Sequence, residues 1–256
     1  MSTSPLDTMR EHGFVPLPGF LDPDRLARLR RAADQLREHA AGLSTSTDDF
    51  VLEAAGAGGW VAWQQGDPPV PGLLRSVSRA HTHTPDVAAV QDELDLPATL
   101  VPRLVGAPGT LATSFLWAKP PQLGSEKPWH QDLAFAPPGF DTATHSVVTV
   151  WVAVDPATED NGCLQFVPGS HRHGLLPHHG DLERGPDQPP LAGAVEPHAD
   201  PDRLFPGVPA VSVPLAPGSA VAFDGRVLHR SAPNTTTAQP RTAISYVYKV
   251  PAPAWT

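Results

Sequence analysis

The chain has 256 residues, of which 40% are hydrophobic, and it carries a formal net charge of −9 at pH 7 with a pI near 5.7. This length suits one large domain or two small ones, and the acidic balance disfavours nucleic-acid binding, which normally requires a basic face. No apolar run approaches the ~18 residues of a membrane span, and residues 1–5 lack the basic and apolar regions of a signal peptide. A single cysteine, Cys163, excludes an intrachain disulfide framework. These features predict a cytoplasmic protein without a nucleic-acid or membrane partner.

The first 108 residues are predicted to be mostly helical. An apolar segment at residues 11–17 suits an edge strand, and Asp22 and Pro23 then provide the N-cap and the first turn of a helix. Apolar residues repeat at helical spacing from Leu26 to Ala40, which predicts that this helix covers one face of a sheet. Further helical pieces are predicted at residues 73–77, 87–94 and 100–105, with prolines at the breaks between them.

The stretch from residue 44 to residue 72 is rich in turn-forming residues and contains Trp60 and Trp63. Aromatic side chains on an irregular segment can line a ligand pocket. They can equally form a small apolar cluster beneath a loop, and the sequence favours neither interpretation. Trp60 and Trp63 are therefore candidate pocket residues.

From residue 109 onward the chain consists of short apolar segments separated by proline and glycine, which is typical of a sandwich or barrel. Seven or eight such strands with antiparallel-style turns predict a jelly roll at 109–256, in a single domain that spans 1–256. A lid-like insertion is expected near residues 172–209, because a loop of this length within a compact domain usually acts as a lid or is disordered. The main predicted strands are 110–118, 146–154, 163–167, 210–215, 219–223 and 242–250, with 146–154 in the centre of a sheet because it is apolar on both faces.

The motif His130-Gln131-Asp132 places an imidazole and a carboxylate two positions apart, on one face of an extended strand. These are two of the three ligands of a 2-His-1-carboxylate facial triad, which leaves open positions on a non-haem ferrous ion. Alone the motif is weak, because 12 histidines and 27 acidic residues can produce it by chance. In a jelly roll, however, His229 on a distant late strand can lie opposite and supply the third ligand.

Two residues near His229 suit a carboxylate ligand. Arg241 stands at the start of the last predicted strand, where its guanidinium can bind a carboxylate in bidentate fashion. Ser231 lies two positions after His229 and offers a hydroxyl from the same face. A metal with open sites beside such a clamp is what 2-oxoglutarate requires, with its keto-acid end on iron and its far carboxylate at Arg241.

These features belong to an ordered series of motifs along the chain. The series comprises Gly13-Phe14-Val15, Lys119-Pro120-Pro121, Trp129-His130-Gln131-Asp132-Leu133, Trp151, Asn161-Gly162-Cys163-Leu164, Val167-Pro168-Gly169-Ser170-His171, Pro217-Gly218-Ser219, and His229-x-Ser231-x-x-Asn234 followed by Arg241. In this series the sequence resembles the phytanoyl-CoA dioxygenase (PhyH) family of iron(II)/2-oxoglutarate oxygenases, over most of its length. The resemblance implies a double-stranded β-helix with flanking helices, iron on His130, Asp132 and His229, and 2-oxoglutarate on Arg241 and Ser231, with Trp151 beside it and Lys119 as a further candidate contact.

The activity implied by this resemblance is hydroxylation of an unactivated C–H in a small molecule, with O2 consumed and succinate and CO2 released. Halogenases of the wider group replace the carboxylate ligand with a small residue, whereas Asp132 is present here, so hydroxylation is favoured over halogenation. The predicted substrate is a secondary metabolite or an amino-acid derivative. Phe135, Trp60 and Trp63 are its candidate pocket residues.

Two other interpretations remain open. A cupin-like metal enzyme that does not use 2-oxoglutarate would have no need for Arg241 and Ser231. A non-catalytic jelly-roll binding module would not be expected to keep both the triad and the clamp. The sequence leaves open the substrate, the regiochemistry and the oligomeric state.

Overall fold

Two antiparallel β-sheets packed against each other form the centre of the computed structural model, which describes residues 4–54, 68–176, 178 and 201–252. The larger sheet has the strand order β1-β9-β6-β11-β4-β3-β2, and the smaller sheet has the order β5-β10-β7-β8. The strands are β1 Phe14–Leu17, β2 Phe50–Ala54, β3 Pro69–Ser78, β4 Thr110–Lys119, β5 Lys127–His130, β6 His145–Ala153, β7 Leu164–Phe166, β8 Val211–Val213, β9 Ala220–Asp224, β10 His229–Ser231 and β11 Arg241–Pro251.

The eight strands from β4 to β11 form the predicted jelly roll. Four of them, β4, β6, β9 and β11, lie in the larger sheet, and the other four make up the smaller sheet, so the chain crosses repeatedly between the two. This arrangement confirms the double-stranded β-helix. Strand β6 pairs with β9 on one side and β11 on the other, which confirms its predicted central place.

Except for the short helix Pro201–Leu204, the helices of the described residues pack on the outer face of the larger sheet. They are α1 Pro5–His12, α2 Pro23–Ala41, α3 Ala80–His83, α4 Pro85–Leu94, α5 Leu96–Thr99, α6 Val101–Val105 and α7 Pro201–Leu204. Helix α2 begins as predicted: the Asp22 side chain accepts a 2.8 Å hydrogen bond from the Arg25 backbone N–H. Its buried residues, including Leu29 and Leu36, join a core with the outward side chains of the sheet.

The helix predicted at residues 73–77 is wrong, because this segment belongs to strand β3. A short apolar run does not by itself distinguish helix from strand. Here Pro71 and Gly72 precede the run, and Gly72 has a φ of +74° that no helix contains. Strand β3 pairs with both β2 and β4, so the N-terminal part of the chain extends the larger sheet by two strands at this edge. Strand β1 forms the opposite edge, as expected from residues 11–17.

The larger sheet has a hydrophobic core on each of its two faces, because successive side chains along a strand point to opposite faces. On β6, Val148, Val150 and Val152 face the helices, whereas Thr149 and Trp151 face the smaller sheet. The side chains that face the smaller sheet form an inner core, which includes Trp151, Phe166 and Phe223. This core fills one part of the space between the two sheets, and a cavity occupies the rest. Within the described ranges, no helix is both long and apolar enough to cross a membrane. Residues 177 and 179–200 of the expected insertion near 172–209 lie outside the described residues, and its role as a lid stays a prediction.

Candidate active site

The three predicted metal ligands meet between the two sheets. His229 begins β10 and pairs directly with His130, the last residue of β5. Asp132 is not in a strand as expected: Gln131 remains extended, and Asp132 then opens a 3-10 turn that ends at Phe135. The side chains still converge, with Asp132 Oδ1 at 3.5 Å from His130 Nε2 and 3.6 Å from His229 Nε2. One ligand atom from each residue lies within 4.8 Å of the others.

Both imidazoles present a lone pair to this point of convergence. His130 Nδ1 lies 2.8 Å from the Pro128 carbonyl oxygen and His229 Nδ1 lies 3.0 Å from the Val227 carbonyl oxygen. A carbonyl only accepts hydrogen bonds, so each Nδ1 carries the proton and each Nε2 is an unprotonated ligand atom. Burial lowers the pKa of His130 to about 3 and also lowers the pKa of His229, so both rings are neutral at pH 7.

The Asp132 carboxylate is oriented by a hydrogen bond from strand β6. Thr149 Oγ1 donates a 2.6 Å hydrogen bond to Asp132 Oδ2. The other carboxylate oxygen, Oδ1, therefore faces the two histidines. Burial alone would raise the pKa of Asp132, but the two histidines and Thr149 outweigh it, and the pKa lies well below the usual range. Two imidazole nitrogens and one carboxylate oxygen on a single side, open to a cavity, are a donor set that fits a ferrous ion.

Arg241 is a buried cation directed into the same cavity. The residue is only 3% exposed, and its Nε is buried without a hydrogen-bond partner. Among the described residues, no hydrogen bond or ion pair to its guanidinium is present, and its Cζ lies 5.4 Å from the ring centroid of Trp151. Burial lowers the pKa of Arg241 to about 10, which still leaves it charged at pH 7. A buried, unpaired guanidinium is costly unless a ligand supplies the anion, so this residue fits a carboxylate clamp.

Ser231 and Lys119 also line the cavity, but their surroundings differ. Ser231 is buried at the end of β10, on the cavity side as expected. The Lys119 ammonium donates to three backbone carbonyls, those of Ser125 at 2.7 Å, Ser231 at 3.2 Å and Ala232 at 2.5 Å. These bonds use all three of its N–H donors. Lys119 therefore ties the segment after β10 to the loop before β5.

A β-bulge brings Lys127 to the same cavity. His229 pairs with His130 and Ser231 pairs with Lys127, so β10 advances two residues where β5 advances three. The extra residue reverses the alternation of β5, and both Lys127 and His130 line the cavity. The Lys127 Nζ lies 4.1 Å from the ring centroid of Phe135. Burial, and then the nearby Arg75, lower the pKa of Lys127 to about 7.

The cavity has a volume of about 450 Å³ and runs along the inner faces of both sheets. Phe135 lines it as predicted, edge-on to the His130 ring with the centroids 5.6 Å apart. The other two candidate pocket residues, Trp60 and Trp63, lie outside the described residues. Sequence reasoning missed Thr149, Lys127 and further wall residues, which are Phe115, Trp117, Phe140, Val147 and Val247. Thr149 could have been found, because it is a polar residue within an apolar strand and shares a face with Trp151.

Comparison with known proteins agrees with this geometry. A model of the phytanoyl-CoA dioxygenase (PhyH) family matches residues 9–243. The chain belongs to this family. Members of the family are non-haem iron, 2-oxoglutarate-dependent oxygenases, and so are the structural neighbours of this chain. The chain is an enzyme of that class.

Individual relatives cover nearly the whole of this PhyH-family chain. Phytanoyl-CoA dioxygenase domain-containing protein 1 of Danio rerio is 28% identical, over 90% of this chain and 84% of the relative. L-proline trans-4-hydroxylase of Streptomyces griseoviridis is 26% identical, over 92% and 82% respectively. Among solved structures, EvdO2 from Micromonospora carbonacea var. aurantiaca complexed with 2-oxoglutarate is 27% identical, covers 99% of this chain and 96% of that chain, and has a TM-score of 0.67.

Proposed function

We propose that this PhyH-family enzyme hydroxylates an unactivated C–H of a compact small molecule, with iron on His130, Asp132 and His229 and with 2-oxoglutarate on Arg241 and Ser231. One observation carries the proposal: the triad and an unpaired, buried arginine open onto the same cavity. Bound iron supplies the oxygen chemistry, in which O2 converts 2-oxoglutarate to succinate and CO2 while one substrate C–H is oxidised.

The protein residues prepare this chemistry by holding the ligand atoms in place. The carbonyls of Pro128 and Val227 hold the two histidines in the tautomer that exposes Nε2, and Thr149 fixes the rotation of the Asp132 carboxylate. Such outer contacts orient metal ligands and typically change metal affinity 10- to 100-fold when they are removed. The metal site therefore needs little rearrangement to bind its ion.

Arg241 and Ser231 would hold the distal carboxylate of 2-oxoglutarate, with Trp151 packed beside the guanidinium. An arginine forms two parallel hydrogen bonds with a carboxylate, which fixes the direction of the cosubstrate as well as its affinity. Lys119 would act indirectly: its three carbonyl acceptors include that of Ser231, so it positions the segment that carries the serine hydroxyl.

Two other features support a hydroxylase acting on a small molecule. Asp132 provides a carboxylate ligand, so the coordination position that a halide would need is taken. The volume of about 450 Å³ lies in the lower part of the range of roughly 300–1,000 Å³ found for small-molecule pockets. A relative that acts on a free amino acid, L-proline trans-4-hydroxylase, supports an amino-acid derivative or a compact secondary metabolite as substrate. A cytoplasmic location stays a prediction from the cysteine content.

The alternatives make different demands on Arg241. A cupin-like enzyme that does not use 2-oxoglutarate gives no reason to bury an arginine without a partner, and a binding module gives no reason to orient Asp132 with Thr149. Both would leave the affinity for 2-oxoglutarate unaffected by the loss of Arg241, and this difference can be measured directly.

The test is anaerobic absorption titration of the metal-free protein with ferrous iron and then 2-oxoglutarate. Wild type should develop the weak metal-to-ligand charge-transfer band of the chelate at about half-millimolar cosubstrate. Arg241→Ala should require at least about tenfold more cosubstrate, because a charge-assisted bidentate contact is lost. Arg230→Ala is the matched control, since Arg230 lies on the same strand as His229 but binds Gln165 outside the cavity.

Each outcome identifies a different error. A band that forms equally well in Arg241→Ala would reject the clamp and favour the cupin-like enzyme. Failure of wild type to bind ferrous iron would reject the triad. The thermal stability of metal-free Arg241→Ala should equal or exceed that of wild type, because the removed charge has no protein partner, so loss of the band cannot be attributed to unfolding.

A further inference from the structure

The hydroxyl groups of the cavity can be traced to their partners one by one. Within the described ranges, the hydroxyl-bearing residues that line the cavity are Thr113, Ser125, Thr149, Ser231 and Ser245. The Ser125 hydroxyl donates to Glu53 over 2.7 Å, and the Thr149 hydroxyl donates to Asp132 over 2.6 Å. The proposed function assigns Ser231 to the distal carboxylate of 2-oxoglutarate. The hydroxyls of Thr113 and Ser245 are therefore left without an acceptor among the described residues.

Ser245 is the more deeply buried of these two residues. It is 2% exposed, whereas Thr113 is partly exposed, so water can satisfy the threonine hydroxyl. The Trp117 indole N–H donates a 3.0 Å hydrogen bond to Ser245 Oγ. This bond fills an acceptor position of the oxygen and leaves its own proton to be donated elsewhere. A buried donor without a partner is costly, and such groups in folded proteins nearly always have one. A ligand of the cavity is therefore expected to supply the acceptor.

Ser245 lies on the inner face of β11, between the Arg241 clamp and the level of the metal site. Arg241 and Ser245 are four residues apart, which corresponds to about 13 Å along the strand. Two residues beyond Ser245, Val247 pairs with Thr149, which binds the metal ligand Asp132. A cosubstrate that extends from Arg241 to the metal must therefore pass the level of Ser245.

The distal carboxylate of the cosubstrate is held at a different level from Ser245. Lys119 pairs with Arg241 across β4 and β11, and its ammonium binds the Ser231 carbonyl, so the two residues of the clamp lie at one level of the cavity. Trp151 is the partner of Ser245 on β6, and its ring packs beside the guanidinium of the clamp. Ser245 therefore faces the part of the cosubstrate that is nearer the metal.

We propose that Ser245 donates a hydrogen bond to the keto-acid end of 2-oxoglutarate, at the carboxylate next to the keto group. The inference rests on the proposed function and adds a further donor to that cosubstrate site. A carboxylate can take this bond as well as a metal ion, because its two oxygens accept at about four positions. Trp117 acts indirectly, since its N–H fills one side of the serine oxygen and limits the directions that the proton can take. The group that Ser245 holds is the one released as CO2.

The test compares two 2-oxo acids in anaerobic enzyme loaded with ferrous iron. 2-Oxoglutarate has both ends, whereas 2-oxovalerate keeps the keto-acid end and lacks the distal carboxylate. Titration of the charge-transfer band gives the dissociation constant of each acid. Ser245→Ala should raise both constants by the same factor, about tenfold or more, because a buried hydrogen bond to a charged group is lost in each complex. Arg241→Ala should raise the constant for 2-oxoglutarate alone.

Two variants serve as matched controls. Ser245→Thr keeps a hydroxyl on the same Cβ, so both constants should stay within about threefold of wild type. Thr113→Val removes the other hydroxyl without an acceptor, from the residue that pairs with Val247, and should stay within about twofold. The affinity of Ser245→Ala for ferrous iron alone should also stay within about twofold of wild type, because its side chain bonds only Trp117 among the described residues.

Three outcomes would overturn the inference. Unchanged constants for both acids in Ser245→Ala would show that the hydroxyl makes no contact with the cosubstrate. Weaker binding of 2-oxoglutarate alone would place Ser245 at the distal carboxylate. A loss in Ser245→Thr equal to that in Ser245→Ala would assign the effect to packing instead of a donated hydrogen bond. A normal band of wild type with 2-oxoglutarate beside any of these results would leave the proposed function standing, whereas absence of that band would reject both.

Discussion

The hydrogen bond between Thr149 and Asp132 gives the sharpest test of how the metal site is held. Thr149→Val keeps the size and branching of the side chain and removes only the hydroxyl that donates to Asp132 Oδ2 over 2.6 Å. Without this bond, the carboxylate can rotate away from the side of the two histidines. We expect weaker binding of ferrous iron with little change in the fold.

The size of the effect follows from the geometry of the bond. A hydrogen bond to a charged group contributes about 1.5–3 kcal/mol. The Asp132 side chain is 24% exposed, so water replaces part of the lost bond, and the lower end of that range applies. About 1.4 kcal/mol corresponds to a tenfold change in an equilibrium constant, so the dissociation constant for iron should rise about tenfold.

Anaerobic calorimetry with ferrous iron measures this constant directly, in competition with a chelator if binding is tight. Thr113→Val is the matched control, because Thr113 lines the same cavity on β4 and makes no side-chain hydrogen bond in the described structure. The dissociation constant for iron in Thr113→Val should stay within about twofold of wild type. If the constant in Thr149→Val also stays within about twofold, Thr149 does not orient the carboxylate.

Two further predictions concern stability. Gly162 has a φ of +88°, and a Cβ there would meet the Ala232 carbonyl oxygen at 2.3 Å. Gly207 has a similar φ of +81° but open space around it, so Gly207→Ala should lower the free energy of unfolding by only about 1–2 kcal/mol. Gly162→Ala should lower it by clearly more, as measured by denaturant titration of both variants. In the metal-free protein, the folded-state pKa of His130 of about 3 lies below the unfolded value of about 6.5. The unfolded state then binds more protons between these values, so stability should fall as the pH decreases below about 6.5, by up to about 1.4 kcal/mol per pH unit for this residue. His130→Gln should make the urea midpoint less sensitive to pH over that interval, and an unchanged pH dependence would contradict the assigned burial.

Much of the site could be predicted from the sequence because its ligands occupy positions that strand periodicity and chain order constrain. His130 and His229 lie opposite each other on antiparallel strands, and the short apolar segments around them predict the jelly roll that brings such distant strands together. Asp132 converges with the histidines although it lies in a 3-10 turn, because the extended Gln131 preserves the direction that a strand would have given it.

The residues that sequence reasoning missed depend on breaks in that periodicity or on pairing between distant strands. Lys127 would face away from His130 under strict alternation, and only the bulge opposite Ser231 directs it into the cavity. The short apolar run that contains Leu74 and Val77 predicts a helix locally, because its pairing with β2 and β4 depends on distant parts of the chain. The partners of Lys119 are backbone carbonyls, which no sequence pattern reveals.

Strand β11 comes last among the strands of the described residues, yet it lies inside the larger sheet between β4 and β6. During synthesis, those two strands therefore keep unpaired edges until residues 241–251 have left the ribosome, and unpaired edges invite pairing with other chains. Pairing across so much of the chain is also slow, because loop closure must precede the contacts. Arg241 is the first residue of this strand, so the nascent enzyme acquires the proposed cosubstrate clamp in the same step that completes its sheet.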